Sequence, residues 1–214
     1  MMKKLAILAL ILFVVPLSAQ ALVYTGSLSI SGGGLTGVDN WANDAMISWE
    51  ITQEGSNWLY VYTLSREDGG WFDGPAVSHF TLEVSPDVNT ETDFWDFDGS
   101  PVEFGDKDGI ENAMKLDYGD NEQLQWSFRS NRIPTWGDFY ATGGSENGNA
   151  GVHGAMWNSG FNDLDPLDLS PSADVTNKIL RPDTGYTPVP EPSTMILMGL
   201  GLAAAGVVRR RRQK

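Results

Sequence analysis

Met46-Ile-Ser-Trp-Glu-Ile-Thr52 sets the fold class. Ile47, Trp49 and Ile51 alternate with Met46, Ser48, Glu50 and Thr52. A period of two is the mark of a strand, because successive side chains point to opposite faces of the sheet. The same pattern recurs outward along the chain. Phe80, Leu82 and Val84 alternate with His79, Thr81 and Glu83; Leu124, Trp126 and Phe128 alternate with Gln123, Gln125, Ser127 and Arg129. Val23 to Ile30, Trp58 to Leu64, Thr135 to Ala141 and His153 to Trp157 read as further strands. Trp58-Leu-Tyr-Val-Tyr62 is nearly continuous in apolar and aromatic residues, which predicts a central strand covered on both faces. Turn chemistry separates the runs at Ser31–Gly34, Glu54–Asn57, Asp68–Gly70 and Asp98–Pro101. No helical period is sustained over a dozen residues. The expectation is an all-β fold: one antiparallel β-sandwich or jelly-roll-like domain over residues 22–182.

Gly143 to Thr176 has a different composition, rich in Gly, Asn, Asp, Ser and Pro, with Trp157 and Phe161 as its main apolar anchors. It reads as a long loop laid over the domain.

Both ends carry topogenic signals. Lys3 and Lys4 precede an apolar run from Leu5 to Leu17, and Ala19-Gln20-Ala21 is a small-x-small cleavage site. Residues 1–21 therefore read as a signal peptide, which makes the Sec machinery and signal peptidase expected partners. At the other end, residues 183–192 form a linker that ends in Pro190-Glu191-Pro192. Residues 193–208 are an apolar segment expected to be a membrane helix, and residues 209–214 a basic cytoplasmic tail with Arg209, Arg210, Arg211 and Arg212. The apolar segment falls short of the roughly 20 residues of a full bilayer crossing.

The tail resembles a PEP-CTERM sorting signal on these three parts: the Pro-Glu-Pro triplet, the apolar run and the arginine cluster. The resemblance covers about the last eighth of the chain. It implies export across the inner membrane of a Gram-negative bacterium and an exosortase-type membrane protease as partner. It also implies a membrane-anchored precursor destined for the cell surface or extracellular space, and association with exopolysaccharide or biofilm matrix. His79-Phe-Thr-Leu-Glu-Val84 and Trp136-Gly-Asp-Phe-Tyr140 are similar to blocks in a group of PEP-CTERM proteins with no established activity.

The interior is strongly acidic. Of 14 Lys+Arg, two lie in the leader and five in the tail; of 28 Asp+Glu, all but Glu191 lie between, which leaves seven bases against 27 acids in residues 22–190. Nucleic acid is excluded as a partner by repulsion. The eight tryptophans and the regular alternation rule out a disordered acidic segment. There are no cysteines, so disulfides, thiol nucleophiles and thiolate metal sites are absent together.

Candidate chemistry is sparse. Asp96-Phe-Asp98-Gly99 and Asp106-Lys-Asp108-Gly109 are two Asp-x-Asp-Gly units. They read either as a calcium site of non-EF-hand type or as turns with solvated carboxylates, the second being the commoner use of Asp-Gly. Trp71, Trp95, Trp136 and Trp157, with Trp41, sit beside glycine, asparagine or acids. They read as loop-side rings for stacking on sugar, or as core Trp closing one end of the domain. His79 shares a strand face with Thr81 and Glu83, a solvated position by alternation. Neither His79 nor His153 has a metal-binding partner at the right spacing, and no nucleophile elbow occurs. The function expected is that of an exported surface or matrix protein without catalytic activity. The alternatives are a carbohydrate-binding module or, more remotely, a secreted glycan-active hydrolase.

Overall fold

The computed structural model describes residues 21–70, 77–98, 102–117, 125–144 and 154–183. A five-stranded sheet runs in the order β1 (Val23–Ser29), β3 (Ala45–Glu54), β4 (Asn57–Arg66), β9 (Gln125–Ser130), β6 (Phe94–Trp95). A six-stranded sheet runs β2 (Leu35–Val38), β12 (Ala155–Asn158), β11 (Phe139–Gly143), β5 (Val77–Glu83), β8 (Ile110–Asp117), β7 (Val102–Lys107). A third sheet pairs β10 (Ile133–Gly137) with β13 (Ile179–Asp183). Every pairing among the described residues is antiparallel, and these residues form an all-β domain as the alternation predicts.

The opening stretch lies inside β3 with Ile47, Trp49 and Ile51 buried. The turn that follows takes two residues, Gly55 and Ser56, between the paired Glu54 and Asn57. Gly55 alone has a positive φ, 68°, which is the type II′ pattern that suits a right-twisted hairpin.

The two large sheets face each other across aromatic side chains. Phe80 of β5 stacks on Trp126 of β9 at 5.0 Å and lies 5.2 Å from Tyr62 of β4. Tyr60 and Phe128 stack beside them at 5.2 Å. These rings are fully buried. Without disulfides, such burial is the main cohesive term, at roughly 25 cal/mol per Å² of apolar surface. The two phenols reach backbone carbonyls: Tyr60 donates to Arg132 O and Tyr62 to Leu180 O, both at 2.8 Å. Burial pushes both phenols well above their ordinary pKa, so they remain donors.

Three expectations change. Strand β4 is central, but only Trp58, Tyr60, Tyr62 and Leu64 are buried; Leu59, Val61 and Thr63 are half-buried on its other face. The run Thr135–Ala141 is two strands, because the chain crosses between sheets at Asp138. There the Asp138 N–H donates to Glu83 Oε2 at 2.8 Å, and β10 and β11 pair with different partners. Within Gly143–Thr176 a strand, β12, precedes an irregular segment from 159 to 178; His153 lies outside the described residues. The only helix among the described residues is a 3-10 turn, Asp39–Trp41, and none there is long and apolar enough to cross a membrane. The expected signal peptide with Ala19 lies outside the described residues, except for exposed Ala21. So do Pro190, Glu191, Pro192, the apolar segment and Arg209–Arg212.

Candidate functional site

Strands β7 and β8 are joined by Asp108-Gly109 between the paired Lys107 and Ile110. Both turn residues have positive φ, 52° and 83°, so this is a type I′ hairpin loop. Gly105 (φ 130°) and Asn112 (φ 53°) kink the two arms, and the register shifts beside Gly105. The tip therefore folds over the outer face of β5. There Asp108 Oδ2 accepts a hydrogen bond from Thr81 Oγ1 and lies 3.2 Å from His79 Nε2, within ion-pair range but not aligned as a hydrogen bond. Asp106 Oδ1 accepts the Asn112 N–H at 3.2 Å.

The other Asp-x-Asp-Gly unit lies against the five-stranded sheet. Asp96 (φ 52°) pairs with Arg129 Nη1 at 3.1 Å, and the Asp98 N–H donates to Ser127 O at 2.9 Å. The four aspartates thus stand in two separate turns on different sheets. Among the described residues, no three Asp, Glu or His side chains group to hold a metal ion.

The tryptophans divide. Trp136 is 4 % exposed in β10; it meets Trp49 edge to face at 6.3 Å, and its indole N–H donates to Ser170 O at 2.8 Å. Trp41 is fully buried. Neither is the loop-side ring that its polar neighbours suggest, because long-range packing seals it. Trp95 is half-buried in β6, opposite Arg129. Trp71 lies outside the described residues. Trp157 is half-buried in β12, on the outer face of the six-stranded sheet.

That outer face carries one row across all six strands. Successive directly opposed residues are Thr36, Trp157, Tyr140, Thr81, Lys115 and Glu103. Trp157 and Tyr140 are near-parallel, 14° apart, with centroids at 6.1 Å. His79 tilts beside Tyr140 at 6.5 Å in the next row, with Thr142 and Asp117 as its cross-strand neighbours. His79 is therefore not the solvated residue that alternation suggests: the hairpin tip half-buries it. Burial lowers its pKa, opposed by the Asp108 charge. The carboxylate lies between the hydroxyl of Thr81 and the imidazole. A nucleophilic triad needs the imidazole in the middle, so this order does not activate Thr81. Tyr140 escaped the sequence reading, although Phe139 and Ala141 on the opposite face imply that it points outward.

Three buried cations gather carboxylates into clusters that alternation does not reveal. Lys178, almost fully buried, donates to Asp138 Oδ1 and Asp163 O, both at 2.8 Å. Asn158 and the Asn162 N–H complete the shell of the Asp138 carboxylate. Arg181 pairs with Glu83 at 2.9 Å and with Asp183; Asp165 stands 3.6 Å away. Burial raises the Glu83 pKa, opposed by Arg181. Arg132 binds Asp93 at 2.7 Å, Ser85 at 2.7 Å and Asp87 at 2.9 Å. Each cluster ties a loop to a strand: Lys178 and Arg181 hold the irregular segment 159–178, and Arg132 holds the segment after β5.

The class of molecule is thus an antiparallel all-β domain with an acidic surface and internally paired cations. Residues 188–212 match the PEP-CTERM protein-sorting motif. The chain carries that sorting signal, which directs a protein to exosortase, a membrane protein, for export to the cell surface or extracellular space of Gram-negative bacteria. No curated protein and no solved structure matches the chain.

Proposed function

We propose that this is a non-catalytic protein of the cell surface or extracellular matrix that associates with exopolysaccharide. The observation that supports this reading is how four of the more buried carboxylates are spent. Asp138, Glu83, Asp93 and Asp108 each serve a neighbouring cation, hydroxyl or histidine that fixes a loop. A hydrolase needs two carboxylates free to face a scissile bond. An acidic surface also suits a soluble protein among neutral sugar chains. Processing would begin with Sec export and removal of the leader by signal peptidase. Exosortase action at the tail would then free the domain or hand it to a surface carrier.

The test is fractionation of the producing cells, followed by incubation of the purified exported protein with the extracted exopolysaccharide. The protein should co-sediment with the polysaccharide and release no new reducing ends. Release of reducing ends would overturn the non-catalytic reading, and absence from the matrix fraction would overturn the association.

A further inference from the structure

We infer that the outer face of the six-stranded sheet is a stacking platform for a neutral polysaccharide chain, with the Trp157 and Tyr140 rings as its floor. This rests on the reading of the protein as polysaccharide-associated and adds a place and a ligand class to it.

The two rings stand on adjacent strands at directly opposed positions, so the sheet sets their spacing rather than a loop. They stack on each other, 14° from parallel, and are half-buried, which holds them still while leaving part of each ring exposed. The axial C–H groups of a pyranose carry partial positive charge and meet the negative face of such rings. Hydroxyl-bearing side chains flank the floor. Exposed Thr36 lies next to Trp157 on the edge strand β2, and Thr142 lies in the neighbouring row. The Thr142 hydroxyl donates to Gly154 O at 3.2 Å, so its oxygen stays open as an acceptor. On the β5 side the platform ends against the hairpin tip, where Asp108 closes over Thr81 and Gly109 lies under Phe161. A chain lying across the strands has a wall at one end and the open edge at β2 at the other.

Charge selects the class of polymer. With seven bases against 27 acids in residues 22–190, the domain repels uronates and sulfated or phosphorylated chains. A long apolar peptide fits less well, because hydroxyls border the rings on both rows.

The experiment uses the exported protein purified from culture and two substitutions, Trp157→Ala and Thr36→Arg. Thr36 is exposed, so its substitution blocks the platform edge without touching the core. Binding is measured by isothermal titration against dextran, cello-oligosaccharides and mannan as neutral probes, polygalacturonate as a polyanion, and the extracted exopolysaccharide. The expected result is binding to at least one neutral probe, none to polygalacturonate, and a loss of at least tenfold in affinity for both variants, with the melting temperature of Thr36→Arg unchanged. Wild-type binding that both variants retain would overturn the platform and leave the functional reading standing. No wild-type binding to any neutral probe or to the exopolysaccharide would overturn both.

Discussion

Lys178 Nζ sits 2.8 Å from Asp138 Oδ1, and neither side chain is more than 8 % exposed. The pair joins the end of the irregular segment to the point where the chain leaves β10 for β11. Removing one member strands the other as an uncompensated buried charge, which typically costs about 3–5 kcal/mol. That is a large part of the roughly 5–15 kcal/mol that holds a domain together. Lys178→Ala should lower the unfolding free energy by that amount, read as a lower urea midpoint at unchanged slope. Lys178→Met combined with Asp138→Asn should recover part of it, because no lone charge remains. A Lys178→Ala midpoint within error of wild type would contradict the role given to the pair.

Gly26 leaves room for a ring. A β-carbon there would fall 2.3 Å from Trp49 Cζ2 and 2.6 Å from Cε2. The indole cannot swing away freely, since its edge packs on Trp136. Gly26→Ala should cost about 1–3 kcal/mol through overpacking. The near-UV circular dichroism of the tryptophans should change with it. An unaltered spectrum and midpoint would show that Trp49 moves at little expense.

The hairpin tip gives a prediction on metal. Asp108 accepts from Thr81, which is fully buried, and its φ of 52° suits Asp or Asn but not alanine. Asp108→Ala leaves a buried hydroxyl without its acceptor and should cost about 1–3 kcal/mol. Asp108→Asn keeps the backbone preference and an acceptor oxygen and should cost less. If the Asp-Gly units are turns, EDTA and added calcium should leave the melting temperature of wild type unchanged. A chelator-induced drop would restore calcium as a ligand of Asp106 and Asp108.

The local half of this architecture is legible in the residue order. Alternation finds β3, β5 and β9, the apolar and aromatic run marks β4, and Asp-Gly marks the hairpin tip. What alternation cannot see is pairing over distance. Trp136, beside Gly137, reads as an open ring, yet β13, more than forty positions on, seals it. His79 looks solvated until the tip folds over it. Short strands such as β2 and β6 carry too few residues to show a period. The platform residue Trp157 was within reach, because a tryptophan in an alternating strand must face one side or the other. That Tyr140 stands directly beside it becomes visible only once the β11–β12 register is known.

His79 makes stability depend on pH. Burial lowers its pKa in the folded state, against the opposing pull of Asp108 and Asp117; Lys115 adds to the lowering. The unfolded chain therefore binds the proton more readily than the folded one. Stability rises with pH wherever that holds. The urea midpoint should be level above the ordinary histidine value of 6.5 and fall as pH drops through it. His79→Gln should flatten the slope below pH 6.5. The same slope in that variant would assign the titration to another group.

The sorting tail supplies the last prediction. Glu191 is the one acidic residue between Thr184 and Lys214, and it stands between two prolines ahead of the apolar run and the four arginines. Pro190 and Pro192 have no backbone N–H to offer and restrict the residues before them. Recognition of the triplet therefore has few handles other than the Glu191 carboxylate and the shape of the flanking rings. Glu191→Gln keeps size and removes charge; Glu191→Ala removes both. If exosortase reads the charge, both variants should accumulate as unprocessed precursor in the membrane fraction, seen as a larger band on an immunoblot. If it reads shape, only Glu191→Ala should accumulate. The apolar run from 193 to 208 falls short of the roughly 20 residues of a full crossing, so the precursor should be held less firmly than a protein with a full-length span. Normal maturation of both variants would separate processing from the triplet altogether.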